Sequence, residues 1–98
     1  MTVNPKIKNA LTDQLFKAVL ALETEEDCYR FFEDVCTISE LKSLAQRLEV
    51  ARMLQNGHIY DDIVERTGAS TATISRVKRC LYYGADGYKL VLGRLAGE

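Results

Sequence analysis

The chain has 98 residues, enough for one domain with a modest core, and its 47% apolar and 28% charged residues indicate a globular protein rather than a disordered one. No apolar run approaches the ~20 residues of a membrane-spanning helix, and the N-terminal MTVNPKIKNA lacks the apolar core of a secretory signal. The net charge of −1 combines four Lys and Arg against eight Asp and Glu in residues 1–41 with nine against six in residues 42–98. A basic surface at one end is typical of nucleic-acid-binding proteins, although chance variation among solvated faces explains the charge equally well.

The three cysteines, Cys28, Cys36 and Cys80, are odd in number and show no C-x-x-C spacing. They are predicted to be buried small hydrophobic residues of a cytoplasmic protein, not a disulfide framework or a zinc site. His58 has no neighbouring cluster of thiolates or carboxylates, so no metal ligands are predicted. No nucleophile–base pair or phosphate-binding loop occurs either, and an enzyme is not expected.

The first helix carries apolar residues at helical spacing, and Phe16 and Leu20 give it a second apolar side. A helix that is apolar on two sides must be covered on two sides, which a chain this short can scarcely do alone. A partner subunit is therefore predicted. The main apolar stripe comprises Leu11, Leu15, Ala18, Val19 and Leu22.

Two capping boxes mark the next helix starts. In Thr24–Asp27 the Thr24 hydroxyl is placed to accept the Asp27 amide, in a variant of the box, and Thr37–Glu40 is the strict form. The helix after the second box is predicted to run to about residue 56 and to end at Gly57. Its predicted inward residues are Leu41, Leu44, Ala45, Leu48, Ala51 and Leu54.

After Gly57 the pattern predicts two short helices, residues 60–66 and 71–81, joined by the turn Thr67-Gly68-Ala69 and capped by Ser70. Two helices joined by a short glycine turn form a helix-turn-helix. Gly68 allows the positive φ that a steep crossing requires. The predicted inward residues are Ile63, Val64, Ile74, Val77 and Leu81.

The outward residues of the second of these helices favour DNA binding over a plain amphipathic surface helix. Small side chains let the helix N-terminus enter a major groove, hydroxyls bond base edges or phosphates, and the Ala72 methyl can contact a thymine methyl. The cations that follow supply phosphate contacts. The predicted DNA-binding residues are Ser70, Thr71, Ala72, Thr73, Ser75, Arg76, Lys78 and Arg79.

The remaining chain is predicted to form a glycine-hinged loop, residues 82–88, before a last helix over residues 88–95. The loop tyrosines could contact DNA or a ligand, but dimer packing is favoured. With no linker or repeat, residues 1–98 are predicted to form one domain. Within it, residues 10–57 supply dimerisation helices and residues 59–81 the helix-turn-helix.

The segments GASTATISR and CLYYGADGYKLVLGRL resemble the Trp repressor superfamily, the second its YerC/YecD-type branch. The resemblance covers roughly residues 10–95. It implies an all-α, intertwined homodimer whose two recognition helices enter successive major grooves, ~34 Å apart, on a near-palindromic operator. It also suggests a link to amino-acid metabolism.

The resemblance further implies a corepressor pocket. Arg47 and Arg76 match the two arginines that sandwich the indole of tryptophan, and Thr37 matches a threonine that lines the pocket. Val77, however, stands where the family has a glycine that leaves room for the ligand, and Cys80 replaces a serine that contacts its amino group. The expectation is therefore no cofactor, or a small-molecule corepressor other than tryptophan, held by Thr37, Arg47, Arg76 and Cys80.

These features predict a sequence-specific DNA-binding transcriptional regulator, a repressor acting as a homodimer on double-stranded DNA without membrane association. The alternative is a helical protein–protein interaction adaptor that does not bind DNA. The basic segment 76–79 favours the regulator, whereas Asp61 and Asp62 on the preceding helix weaken that interpretation.

Overall fold

The computed structural model describes residues 4–97, and within that range the chain is helical and contains no strand, as predicted. It divides into two compact units, one up to Leu41 and one from Lys42 onward, which is also where the charge balance changes sign. The six helices are α1 (Ala10–Leu20), α2 (Glu25–Val35), α3 (Ile38–Gln55), α4 (Tyr60–Thr67), α5 (Thr71–Tyr83) and α6 (Gly87–Leu95).

Side chains cap the starts of α1, α2, α3 and α5, but not those of α4 and α6, and both capping boxes are confirmed. The Asp27 amide donates to Thr24 Oγ1 at 3.0 Å at the start of α2. At the start of α3 the Glu40 amide donates to Thr37 Oγ1 at 3.1 Å, and the Thr37 amide donates to Glu40 Oε1 at 2.8 Å. These bonds to Thr37 lower the pKa of Glu40, because they favour the carboxylate form. Local sequence thus sets these two boundaries.

In the N-terminal unit, no residue from 4 to 41 is buried. Phe16 and Leu20, the second apolar side of α1, are 54% and 84% exposed. The prediction that all three cysteines are buried is wrong for this chain by itself, since Cys28 and Cys80 are exposed and Cys36 is only half-buried. A helical unit with this much uncovered apolar surface cannot account for its own stability by burial.

The inward side of α3 differs from the prediction. Val50, Ala51 and Met53 are fully buried, whereas Leu44 and Leu48 are exposed, as is Ala45. The helix is apolar on more than one side, so periodicity alone cannot decide which side faces the core of its own chain. Ala51 is the member of the predicted set that is buried.

The core of the C-terminal unit joins the second half of α3 to the three helices that follow. Ile63 from α4 and Ile74 and Val77 from α5 are buried as predicted, but Val64 is exposed, because it lies one position around α4 from Ile63. Leu81 is also buried. The cluster comprises Val50, Ala51, Met53, Ile63, Ala69, Ile74, Val77 and Leu92.

The helix ends in this unit also differ from the prediction. Thr67 belongs to α4, and Tyr82 and Tyr83 form the last turn of α5 instead of a loop. The helix continues to Gly84, whose amide donates to the Cys80 carbonyl at 2.9 Å. A Cβ at residue 84 would lie 2.3 Å from that carbonyl oxygen, so the chain can turn there only with glycine. None of the described helices is both long and apolar enough to span a bilayer.

Candidate nucleic-acid interface

The turn between α4 and α5 has the geometry of a helix-turn-helix. Gly68 ends α4 in the left-handed region (φ 73°), and its amide donates to the Val64 carbonyl at 2.9 Å. Ala69 then inserts into the core, being only 2% exposed. A left-handed glycine followed by a buried small residue reverses the chain within three residues and brings α5 against α4.

A side chain from α3 holds this turn. Gln46 Nε2 donates to the Thr67 carbonyl at 3.0 Å. Thr67 is itself fixed, since its hydroxyl donates to the Ile63 carbonyl at 2.7 Å and accepts the Ala69 amide at 3.1 Å. The last carbonyls of a helix have no partner within the helix. Gln46 satisfies one of them and ties the helix-turn-helix to α3.

The start of α5 presents small polar side chains to solvent. The Ser70 hydroxyl caps the helix by accepting the Thr73 amide at 3.1 Å, and it also donates to Thr73 Oγ1 at 3.1 Å. Thr71, Ala72 and Ser75 are exposed on the outer side, and Thr73 is half-buried. The predicted base-reading residues Thr71, Ala72 and Ser75 are therefore open to a partner, whereas Ser70 and Thr73, also predicted to bind DNA, bond to each other at the start of the helix.

The predicted phosphate contacts Arg76, Lys78 and Arg79 are all exposed. Across residues 4–97 none of them forms an ion pair with a carboxylate. Arg52 on α3 behaves differently, because its guanidinium donates to both carboxylate oxygens of Glu49. The cations of α5 thus keep their charge available for a ligand.

The Glu49–Arg52 pair explains the clearest electrostatic shift in this unit. The hydrogen bonds from Arg52 lower the pKa of the Glu49 carboxyl, partial burial opposes them, and the charges of Arg52, Arg66 and His58 lower it further. The same bonds raise the pKa of Arg52. Both groups stay ionised and neutralise each other near neutral pH.

The residues predicted to hold a corepressor are distributed over both units. Arg47 (half-buried), Arg76 and Cys80 (both exposed) belong to the C-terminal unit, and Thr37 belongs to the N-terminal unit, where it caps α3. Val77 is 1% exposed and forms part of the core cluster. The Val77 side chain therefore packs in the core, in addition to the steric effect expected on a ligand.

Gln46 and Tyr60 were not predicted as site residues, and for Tyr82 and Tyr83 dimer packing was favoured over contact with DNA or a ligand. A bond from a side chain to a carbonyl 21 residues away leaves no periodic signal in sequence. Tyr82 and Tyr83 could have been found from their spacing to Arg79 had the predicted α5 been extended to Tyr83, whereas Tyr60 lies on α4 and has no such signal. Within residues 4–97 there is no group of three His, Cys, Asp or Glu side chains suited to a metal ion.

Comparison with known proteins agrees with this geometry. Residues 10–96 match the family model for the Trp repressor protein. YerC of Bacillus subtilis, an uncharacterized protein, is 60% identical over 90 residues, which are 92% of this chain and 86% of that one.

Two solved structures share the fold. A TrpR-like protein from Eubacterium eligens superposes with a TM-score of 0.92 at 57% identity, over 95% of this chain and 96% of that one. A candidate Trp repressor from Staphylococcus aureus gives a TM-score of 0.90 at 52% identity, over 95% and 93% of the two chains. The chain belongs to the Trp repressor family, in its YerC-type branch.

Proposed function

We propose that the protein is a transcriptional regulator that binds a specific, near-palindromic DNA sequence as a homodimer and represses by occlusion. The observation that carries the proposal is the outer side of α5. There, exposed Thr71, Ala72 and Ser75 lie beside cations that have no acidic partner within the described chain. Small side chains at a helix N-terminus suit a major groove, and cations suit its phosphate edges.

The homodimer follows from uncovered apolar surface. Leu11, Phe16 and Leu20 on α1 and Ile38 at the start of α3 are all more than half exposed in the single chain. Apolar surface of this extent marks an interaction site in a folded protein. A two-fold symmetric dimer would carry two copies of α5, which matches a palindromic operator. The test is selection of bound duplexes from random DNA.

We further propose that operator binding does not need tryptophan. In a repressor that depends on a corepressor, the ligand fixes the orientation of the recognition helix. Here the bond from Gln46 to the Thr67 carbonyl ties the helix-turn-helix to α3 without a ligand. Val77, where the family has a glycine, fills space inside the core.

Tryptophan at millimolar concentration is therefore expected to change operator affinity less than threefold. Fitting the indole beside Val77 would overpack the site at a cost of ~1–3 kcal/mol, which weakens binding roughly 5- to 150-fold. Calorimetric titration of tryptophan into the protein checks this, and micromolar binding to the unchanged chain would contradict it.

The companion variant Val77→Gly is expected to gain tryptophan binding, but it removes a buried side chain from the core. It should lose about 3 kcal/mol of unfolding free energy through the cavity and the helix glycine. Val77→Ala is the milder companion. Each variant is checked for folding by circular dichroism before titration, and gain of tryptophan binding in either one supports the steric argument.

Replacing Gln46 with leucine is expected to weaken DNA binding about three- to tenfold, because a hydrogen bond contributes roughly 0.5–1.5 kcal/mol. The helix content should stay unchanged. Amide exchange in residues 67–70 should accelerate, since the turn loses its tie to α3. Gln55→Leu, at the exposed end of the same helix, is the control. Equal DNA affinity for the two variants would show that the tie does not orient the helix-turn-helix.

A further inference from the structure

A groove of about 340 Å³ lies on the outer side of the helix-turn-helix, and it extends from Ser75 toward the C-terminal end of α5. Lys78 and Arg79 each lie three or four residues from both Ser75 and Tyr82, so the four side chains share one side of α5. The groove is lined by Tyr60, Ser75, Lys78, Arg79, Tyr82 and Tyr83. It therefore combines two cations with four hydroxyl groups.

Thr71, the first residue of α5, lies on this same side of the helix. Tyr82 is eleven residues beyond Thr71, which is three helical turns, so the two side chains point in nearly the same direction about 16 Å apart. A major groove is about 12 Å wide. If Thr71 reaches base edges, the last turn of α5 must lie past the rim of the groove, over the sugar–phosphate backbone.

The side chains at that end have the chemistry of a phosphate site. Lys78 Nζ lies 5.8 Å from the centre of the Tyr60 ring, and Lys89 Nζ lies 5.9 Å from the centre of the Tyr82 ring. Cation–π contacts hold the ammonium groups near the rings while leaving their protons free to donate. Tyrosine hydroxyls, lysine and arginine are all established donors to phosphate oxygens.

We propose that this groove binds the phosphodiester backbone flanking the base-reading contacts, with the Tyr82 and Tyr83 hydroxyls donating to phosphate oxygens beside Lys78 and Arg79. Tyr82 is 52% and Tyr83 is 88% exposed, so both hydroxyls reach solvent without rearrangement. Tyr60 supports the Lys78 ammonium from α4. The inference rests on the proposed DNA binding and extends the interface by one helical turn beyond the residues assigned from sequence.

The test separates hydroxyl contacts from charge contacts. Affinity for a mixed-sequence 30-base-pair duplex is measured against salt concentration for the full chain, for Tyr82→Phe/Tyr83→Phe and for Lys78→Gln. The tyrosine pair should weaken binding roughly a hundredfold, as expected for the loss of two hydrogen bonds to charged groups, with an unchanged salt slope, because neutral donors release no counterions. Lys78→Gln should weaken binding and reduce the slope by about 0.9.

Tyr29→Phe, an exposed tyrosine on α2, is the matched control and should bind as the unchanged protein does. If the tyrosine pair binds duplex as well as the control, the groove proposal is overturned while the proposed function stands. A tyrosine pair that sediments as a monomer would show that these hydroxyls serve subunit packing, which also overturns it. If the unchanged protein binds no duplex, the proposed function itself fails.

A last arm distinguishes backbone binding from base stacking. Methylphosphonate linkages at the flanking positions of the duplex remove phosphate charge, and they should abolish the difference between the tyrosine pair and the unchanged protein. Single-stranded DNA of the same length should bind more weakly than duplex. Tighter binding of the single strand, with no effect of the Phe substitutions, would indicate stacking of bases on the rings and contradict the proposal.

Discussion

The double variant Phe16→Lys/Leu20→Lys is expected to sediment as a monomer and to lose 10²- to 10⁴-fold in affinity for a two-half-site operator. Both side chains are exposed in the single chain, and the proposed dimer would bury them. In a dimer, once one recognition helix is bound, binding of the other to the second half-site is intramolecular, which raises the overall affinity. A monomer loses this gain. The unchanged protein should sediment at twice the chain mass of 11.0 kDa at micromolar concentration.

Lysine is chosen so that loss of the dimer can be told apart from unfolding of α1 and from an effect of charge on DNA binding. Lysine is a good helix former and is favoured near a helix C-terminus, so α1 should remain intact. The added positive charge would by itself strengthen non-specific DNA binding, and weaker operator binding therefore cannot be a charge effect. Gln14→Lys, at an exposed polar position of the same helix, should leave the dimer mass unchanged and should not weaken operator binding. If the unchanged protein sedimented only as a monomer, it would have no symmetric pair of recognition helices to bind a palindromic site.

The second large effect is expected from the cations of α5. Arg79→Ala should weaken specific and non-specific binding alike, about tenfold, and reduce the salt slope by about one, because one phosphate contact is lost. Arg76→Ala/Arg79→Ala should weaken binding further than Arg79→Ala alone and reduce the slope by about two, because two phosphate contacts are lost. Fluorescence anisotropy against salt concentration measures both quantities.

Two comparisons make the assignment of α5 specific. Arg30→Ala, on α2, removes the same charge elsewhere and should change the slope little. Thr71→Ala or Ala72→Asp should damage discrimination between operator and random duplex more than non-specific affinity, because we expect these exposed residues to contact base edges. An Arg79→Ala variant with unchanged affinity and slope would show that this side of α5 does not meet DNA.

Local sequence was sufficient where the determinant is local. The Thr37–Glu40 box, the Ser70 cap and the left-handed Gly68 each act within four residues, and the structure confirms all three. The inward residues of α5 were also predictable, because that helix has a single apolar stripe at helical spacing.

Prediction failed where neighbours outside the segment decide the outcome. The inward side of α3 could not be chosen, because the helix has apolar residues on several sides and its own chain buries Val50 and Met53 while leaving Leu44 exposed. Cys28 is exposed for the same reason, because no residue of α2 is buried within the single chain. The roles of Gln46 and Tyr60 depend on packing between different helices, which no periodicity encodes.

Selection of bound fragments from a pool of random duplex DNA, with and without pooled amino acids, shows whether the protein binds a specific sequence as a symmetric dimer. We expect an enriched sequence with two-fold symmetry, its half-sites centred about 10 base pairs apart, whose enrichment does not require tryptophan. Failure to enrich any duplex, at a salt concentration low enough to permit non-specific binding, would rule out the proposed function and favour a protein–protein adaptor.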